Sequence, residues 1–206
     1  MATTRPYRSP RRAGEAADTR RDILTAAREL FSAHGYARVT VADIAKRAGT
    51  AVKTVYASAG TKADILNELI AVDVEGSGAA ENLAEVRATR DLGEAMRVLA
   101  RGTRTGNEAN RETLDILFSS MSSHDVAADV WQRGTTSYRA TLHAVARHLA
   151  DGGQLAPGLT VGRAADRLWF CFGLAAWRTL VVDCGWSYDE AEDWLCRQAV
   201  RMLGEG

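Results

Sequence analysis

All three lysines of this 206-residue chain lie in one short segment, KRAGTAVKTVYASAGTKADIL, at positions 46, 53 and 62. A single tyrosine, Tyr56, stands between them among small residues. Lysine, tyrosine and hydroxyl side chains, together with helix N-termini, contact DNA phosphates and fix a protein on the duplex. The segment therefore predicts an anion-binding element, and its few polar side chains indicate modest direct contact with base edges.

The distribution of charge agrees with this interpretation. Residues 1–62 carry twelve basic and five acidic residues, a net charge of +7, whereas residues 63–206 carry a net charge of −7. A basic N-terminal part joined to an acidic remainder predicts that the N-terminal part meets an anionic partner.

The elements that position the lysines are predicted to be short helices. Residues 1–17 hold four arginines and few apolar residues, which predicts a disordered basic arm, and we expect the first helix to begin near residue 18 or 19. Thr40 and Asp43 have the spacing of a capping box at the start of a second helix, and Gly49 ends it. A third helix is expected at about 51–58. This arrangement predicts a helix-turn-helix unit over residues 18–62.

Residues 63–206 predict a second, entirely helical domain, because apolar residues recur at helical spacing and no segment shows strand-like alternation. The expected helices cover 61–75 and then about 89–104, 108–122, 125–150, 160–184 and 187–203. The 160–184 segment is apolar on nearly every side, which is typical of a helix buried all round. A homodimer through the last two helices explains this pattern, and a central helix within one subunit is the alternative. Arg178, inside the segment, predicts an acidic partner or an anionic ligand group.

Other kinds of site find little support in the sequence. Cys171, Cys184 and Cys196 are widely spaced, and His143 and His148 do not share a helical face, so we expect no metal and no cofactor. We see no phosphate-binding glycine loop and no catalytic constellation, and we expect no enzyme. No apolar run approaches the roughly 20 residues that span a bilayer, so a cytoplasmic protein without membrane contact is the simplest interpretation.

The stretch ILTAARELFSAHGYARVTVADIAKRAGTAVKTVYASAGTKADIL resembles the DNA-binding domain of TetR-type transcriptional regulators. The resemblance is carried by AARELF, GY and TVADIAKRAG, followed by Thr54, Val55 and Tyr56, and by Lys62 at the start of the next helix. It implies a dimeric, ligand-responsive repressor that binds a palindromic operator and is released from it by a small molecule.

Eight residues are candidates for contact with DNA. Thr40 begins the supporting helix, where a phosphate is favoured, although it could be a plain N-cap. Lys62 begins a helix, where a cation is unfavourable unless an external anion compensates. Tyr56 could pack internally, but the resemblance implies a phosphate contact. Lys53 could reach a guanine edge or a phosphate. The remaining candidates lie near the groove, where methyl groups could pack on thymine: Thr50, Ala51, Val52 and Thr54.

The chain departs from the family pattern in three places. Ala51 replaces a polar residue at the start of the recognition helix, Ala57 and Ser58 replace bulkier residues, and Ala59 replaces a large core residue and would leave a gap unless its neighbours close in. Arginines of the arm could compensate in the minor groove. An all-α binding or interaction module whose head no longer recognises DNA is therefore the alternative function.

The resemblance also implies an effector pocket in the second domain. Its aromatic and apolar residues suggest an apolar, partly aromatic ligand. The candidate lining residues, each of which could equally be ordinary core, are Phe118, Met121, Trp131, Tyr138, His143, Trp169, Phe172 and Trp177.

Overall fold

The computed structural model describes residues 10–75, 78–120 and 125–204, and every regular element within these ranges is helical. The predicted all-α fold is confirmed. The chain forms two compact units, Met1–Val72 with Glu112–Val130, and Asp73–Arg111 with Trp131–Gly206. The division of function at residue 62 stays a prediction.

The first unit holds the predicted helix-turn-helix. Its helices are α1 (Pro10–His34), α2 (Val41–Arg47), α3 (Val52–Ala59), most of α4 (Lys62–Glu75) and most of α7 (Arg111–Ser120), with a 3-10 turn at Tyr36–Arg38. α1, α2 and α3 pack against one another. Phe31, Ile44, Val55 and Ile65 are fully buried between them, so the apolar faces predicted from helical spacing form one small core.

α1 begins earlier than expected. The structure starts this helix at Pro10, so residues 10–17 are helical, while residues 1–9 of the predicted arm lie outside the described residues. Proline suits the first helical position because its fixed φ is already helical and its missing N–H is not needed there. Thr19 does not cap the helix. Its hydroxyl donates a hydrogen bond to the Glu15 carbonyl, one turn back inside it.

The second unit is built around a separate core. Its complete helices are α5 (Ala79–Ala88), α6 (Leu92–Ala109), α9 (Val161–Phe172), α10 (Leu174–Arg178) and α11 (Tyr188–Gly204), and most of α8 (Asp125–Asp151) belongs to it. α6 packs on α5 and α11, and α11 packs on α9. Met96, Leu142, Leu168 and Leu195 are fully buried in the resulting core.

The segment expected as one helix over 160–184 is broken at Gly173. A Cβ at this glycine would lie 2.4 Å from the Trp169 carbonyl oxygen, so the backbone turns here because the residue has no side chain. α9 ends before the glycine, α10 follows it, and Thr179–Asp183 forms a π-helical turn. Within the single chain this segment is not buried all round, because Phe170 is 68% exposed.

Two further helices differ from the prediction. α5 was not expected. α6 does not stop at Gly106 but continues to Ala109, and the buried Asn107 amide donates a hydrogen bond to the Thr103 carbonyl within the helix.

Candidate DNA-binding surface

Thr40 and Asp43 form the predicted capping box at the start of α2. The Asp43 N–H donates to Thr40 Oγ1 at 3.2 Å, and the Thr40 N–H donates to Asp43 Oδ2 at 2.9 Å. Hydrogen bonds from the Thr40 side chain and backbone lower the pKa of Asp43 below its usual range. Both residues are exposed, so the positive end of the α2 dipole is presented at the surface.

A tight turn joins α2 to α3. Gly49 has a φ of 66°, in the left-handed region, and the Thr50 N–H reaches back to the Ala45 carbonyl at 2.9 Å. Ala51 is the N-cap of α3 and provides no side-chain hydrogen bond, as its missing hydroxyl predicts. The start of α3 therefore has no side-chain cap.

α3 turns one side into the core and the other to solvent. Val55 and Ala59 are buried. Val52 and Tyr56 are 42% and 53% exposed, which shows that Tyr56 does not pack internally. Lys53 and Ala51 are exposed, whereas Thr50 and Thr54 are half-buried. Ala59 is only 4% exposed, so the core is closed to solvent around this small side chain.

Lys62, the first residue of α4, is half-buried, and its ammonium group faces the protein. Nζ donates to the Tyr36 and Val39 carbonyl oxygens, both at 2.9 Å, and lies 4.3 Å from the centre of the Tyr36 ring. Burial lowers the pKa of Lys62. The sequence predicted an external anion beside this cation. Within the chain, two carbonyl dipoles and an aromatic face stabilise the cation.

A second capping box begins α4. The Thr61 N–H and hydroxyl both donate to Asp64 Oδ2, at 2.8 and 2.7 Å, and the Asp64 N–H donates back to Thr61 Oγ1. Hydrogen bonds from the Thr61 backbone and side chain lower the pKa of Asp64. The Thr-x-x-Asp spacing could have identified this box from the sequence.

The remaining basic residues of α2 behave as surface charges. Lys46 is exposed, and Arg47 forms an exposed ion pair with Glu29, with an N–O distance of 2.6 Å. Exposed pairs of this kind contribute little to stability.

Four of the eight candidate effector residues lie together around the α9–α10 break. Tyr138 donates a hydrogen bond to the Phe172 carbonyl at 2.8 Å, and burial raises the pKa of Tyr138. Its ring meets Trp169 edge-on at 5.8 Å between centroids. Phe172 is fully buried and Trp177 is 1% exposed, and Trp177 Nε1 has no hydrogen-bond acceptor among the described residues.

The other four candidates are placed differently. Phe118 is half-buried in the first unit, and His143 is exposed. Met121 and the side chain of Trp131 lie outside the described residues. Arg139, which the sequence did not single out, lies over the Trp169 ring at 5.2 Å from its centre. The proposal of an effector site therefore rests on the aromatic residues around the α9–α10 break.

The remaining predictions concern metal sites, membrane spans, Arg178 and the cysteines. Within residues 10–75, 78–120 and 125–204, no group of three metal-ligating side chains is placed to bind a metal ion. No helix in the same ranges is both long and apolar enough to cross a membrane.

Arg178 pairs with Asp183 of its own chain at 3.8 Å. Cys171 is a free thiol, and burial raises its pKa to about 11.

Part of the first unit resembles a known protein family. The family model for bacterial regulatory proteins of the tetR family matches residues 23–69. The N-terminal domain belongs to the TetR family. No curated protein matches the chain.

Solved structures extend the TetR-type fold over most of the chain. The SmeT–triclosan complex superposes with a TM-score of 0.75 at 21% identity, covering 92% of this chain and 93% of that one. FadR from Bacillus subtilis, in complex with stearoyl-CoA, gives a TM-score of 0.69 at 18% identity over 88% and 98% of the two chains. PfmR from Thermus thermophilus, a TetR family transcriptional regulator, gives 0.64 at 20% identity over 88% and 93%. At these identities the likeness establishes the fold: an N-terminal helix-turn-helix domain followed by a helical C-terminal domain.

Proposed function

We propose that this protein is a dimeric, ligand-responsive regulator of transcription that binds double-stranded DNA in the cytoplasm and represses until an effector releases it. The observation that carries the proposal is the outward side of α3, where Val52, Lys53 and Tyr56 are exposed on the helix that packs against α2. In a helix-turn-helix the second helix enters the major groove and the first bears on the backbone.

The proposed contacts divide by chemistry. Lys53 reaches a guanine edge or a phosphate, and Val52 and the threonine methyls pack on thymine methyls. Thr40, at the exposed start of α2, and the Tyr56 hydroxyl contact phosphates. The surface as a whole comprises Thr40, Thr50, Ala51, Val52, Lys53, Thr54 and Tyr56, and Lys62 borders it.

DNA binding is tested with duplexes selected by the wild-type protein from a randomised pool. Fluorescence anisotropy over a series of salt concentrations should show tight binding that weakens steeply with salt. Tyr56→Ala and Lys53→Met should both weaken binding, whereas Lys46→Met, which removes the same charge from exposed α2, should have little effect. Failure to select any duplex, or equal affinity for all duplexes, would favour the alternative of an interaction module without specific DNA recognition.

That alternative has an observation of its own. Ala51 gives α3 no side-chain cap, and Ala57 is a small exposed residue, so the helix offers few polar side chains to a base edge. A protein-interaction role would leave the salt dependence weak and the affinity for DNA insensitive to Tyr56→Ala.

We further propose an apolar or aromatic effector. Tyr138, Trp169, Phe172 and Trp177 cluster around the α9–α10 break, and the structures similar in fold include one with triclosan and one with stearoyl-CoA. The effector must bind more tightly to the form that does not bind DNA, because only a difference in affinity shifts the equilibrium. Triclosan and stearoyl-CoA are therefore the first compounds to test, by thermal shift and by release of the selected duplex.

The homodimer is proposed to form through α9 and α11. Phe170 on α9 is 68% exposed and borders an open groove of about 590 Å³, to which Leu159 and Met202 also contribute. A palindromic operator would match a two-fold dimer. Phe170→Asp should give monomers by light scattering after gel filtration, whereas Val72→Asp, an equally conspicuous exposed position on α4, should not. A monomeric wild-type protein would refute the dimer.

A further inference from the structure

The Lys62 ammonium is held by backbone atoms of its own chain. Two of its three N–H bonds are directed at the carbonyl oxygens of Tyr36 and Val39, each at 2.9 Å, and its charge lies over the Tyr36 ring. Both carbonyls belong to the segment between α1 and α2. Lys62 therefore ties the start of α4 to the chain that leads into α2.

The peptide group that joins Val39 to Thr40 is bound on both sides. Its carbonyl oxygen accepts the hydrogen bond from Lys62, and its N–H donates to Asp43 Oδ2 at 2.9 Å. This peptide sets the direction in which the backbone enters α2. With both ends bonded, the N-cap residue Thr40 and the first turn of α2 have one orientation relative to α4.

Lys62 is itself fixed at its base. The Thr61–Asp64 capping box locks the residue that precedes Lys62 to the first turn of α4, and the box of Thr40 and Asp43 stands at the other end of the Lys62 side chain. The side chain thus connects two capping boxes, each at the N-terminus of a helix in the DNA-binding domain.

We propose that Lys62 is a positioning residue that links the two capping boxes and holds the start of α2 in the orientation that receives a DNA phosphate, rather than neutralising a phosphate itself. The proposal rests on the proposed DNA-binding function, and it replaces the phosphate contact predicted for Lys62 from the sequence. A charge-assisted hydrogen bond to a carbonyl is strong enough to fix a peptide group, and removing the donor frees it.

The three lysines allow a matched test with a single kind of substitution. Lys62→Met, Lys53→Met and Lys46→Met each remove one positive charge from the full-length protein while keeping an unbranched side chain. Each variant is titrated with the wild-type-selected duplex by fluorescence anisotropy over a series of salt concentrations. Circular dichroism establishes that each is folded at the temperature of the titration, and Lys62→Gln replaces Lys62→Met if the latter is not.

A direct phosphate contact and a positioning role differ in the salt dependence. Losing one phosphate contact reduces the slope of log K against log salt by about 0.9 for each DNA-binding head. We expect Lys62→Met to weaken binding by at least about tenfold, the scale of a single charge-assisted hydrogen bond, with the slope of the wild type. Lys46→Met should leave both quantities unchanged.

Two outcomes would overturn the proposal. A slope reduced by about 0.9 per head in Lys62→Met would show that Lys62 meets a phosphate directly. An unchanged affinity together with a lower unfolding midpoint would show that Lys62 only stabilises the fold.

Amide hydrogen exchange tests the same link without DNA. In Lys62→Met the Thr40 and Asp43 amides should exchange at least several-fold faster than in the wild type, whereas amides in the middle of α1 should not change. If the wild-type protein selects no DNA, the proposed function fails, and this exchange experiment still decides whether Lys62 holds the start of α2. Equal exchange at Thr40 in the two proteins would refute the link.

Discussion

Gly60, which joins α3 to α4, is a position where one methyl group should loosen the DNA-binding domain. Its φ of 77° and ψ of −145° lie in a region that residues with a side chain rarely adopt. A Cβ there would lie 2.6 Å from Asp64 Oδ2 and 3.0 Å from Asp64 Cβ. Because that carboxylate accepts the hydrogen bonds from the Thr61 N–H and hydroxyl, Gly60→Ala should strain the backbone and also break this half of the capping box.

The expected magnitude follows from a second glycine. Gly35 has a φ of 78°, and a Cβ there would meet no atom within 4 Å, so Gly35→Ala imposes backbone strain alone. Strain of this kind costs roughly 1–3 kcal/mol. Loss of the hydrogen bonds from Thr61 to the Asp64 carboxylate costs about 1 kcal/mol more. Gly60→Ala should therefore lower the free energy of opening of the first unit by about 1 kcal/mol more than Gly35→Ala does.

Amide hydrogen exchange in α2 and α3 is the appropriate assay, because it reports opening of the first unit alone. A double-mutant cycle with Asp64→Ala separates the two causes: the cost of Gly60→Ala should fall when the Asp64 side chain is already absent. Equal costs for Gly60→Ala and Gly35→Ala, or a cost of Gly60→Ala that does not depend on Asp64, would show that the carboxylate moves aside freely and that the reasoning is wrong.

Two further predictions concern charged groups. Arg104 on α6 binds Glu192 at 3.0 Å and also Asp189, both at the start of α11. Arg104→Met should therefore lower the free energy of unfolding in low salt by up to about 1 kcal/mol, whereas the more exposed Arg101→Met should not. Urea titrations of both variants at two salt concentrations check this, and an equal effect of the two substitutions would contradict it. Hydrogen bonds from Thr40 lower the folded-state pKa of Asp43. The stability that the Asp43 carboxylate contributes is therefore present above the unfolded-state pKa of about 3.9 and is lost as the pH falls through the lower folded-state pKa. Asp43→Asn should flatten the loss of stability in this acid range, and an unchanged dependence of stability on pH would contradict the prediction.

The helix-turn-helix was predictable because its signals are local. The Thr40–Asp43 box and the left-handed glycines at 35 and 49 act over three or four residues, and the structure confirms them. The start of α1 was not predictable in the same way, since the arginines that suggested disorder are also good helix formers. Propensity and composition point in opposite directions there, and only the folded chain decides between them.

The other differences depend on backbone carbonyls rather than on side-chain patterns. The break at Gly173 depends on the close approach of the backbone to the Trp169 carbonyl, four residues earlier, which a pattern of apolar residues does not register. The partners of Lys62 are backbone carbonyls 26 and 23 residues away. Every residue has a carbonyl, so no side-chain pattern could have identified these two. From the sequence, the cation at a helix N-terminus predicted an external anion, and the two carbonyls that lie beside it in the structure could not be read.

The three lysines are alike in charge and different in surroundings, and this difference bears on how the domain would select DNA. Lys46 is exposed on α2, Lys62 is half-buried against carbonyls, and Lys53 is exposed on α3. Lys53 is the only charged residue in the sequence of α3, so under the proposed function the other selective contacts of this helix come from methyl groups and from close backbone approach. Such a helix depends on its placement more than on its side chains. A rigid link between the starts of α2 and α4 is then the feature that would compensate for a recognition helix with so few polar groups.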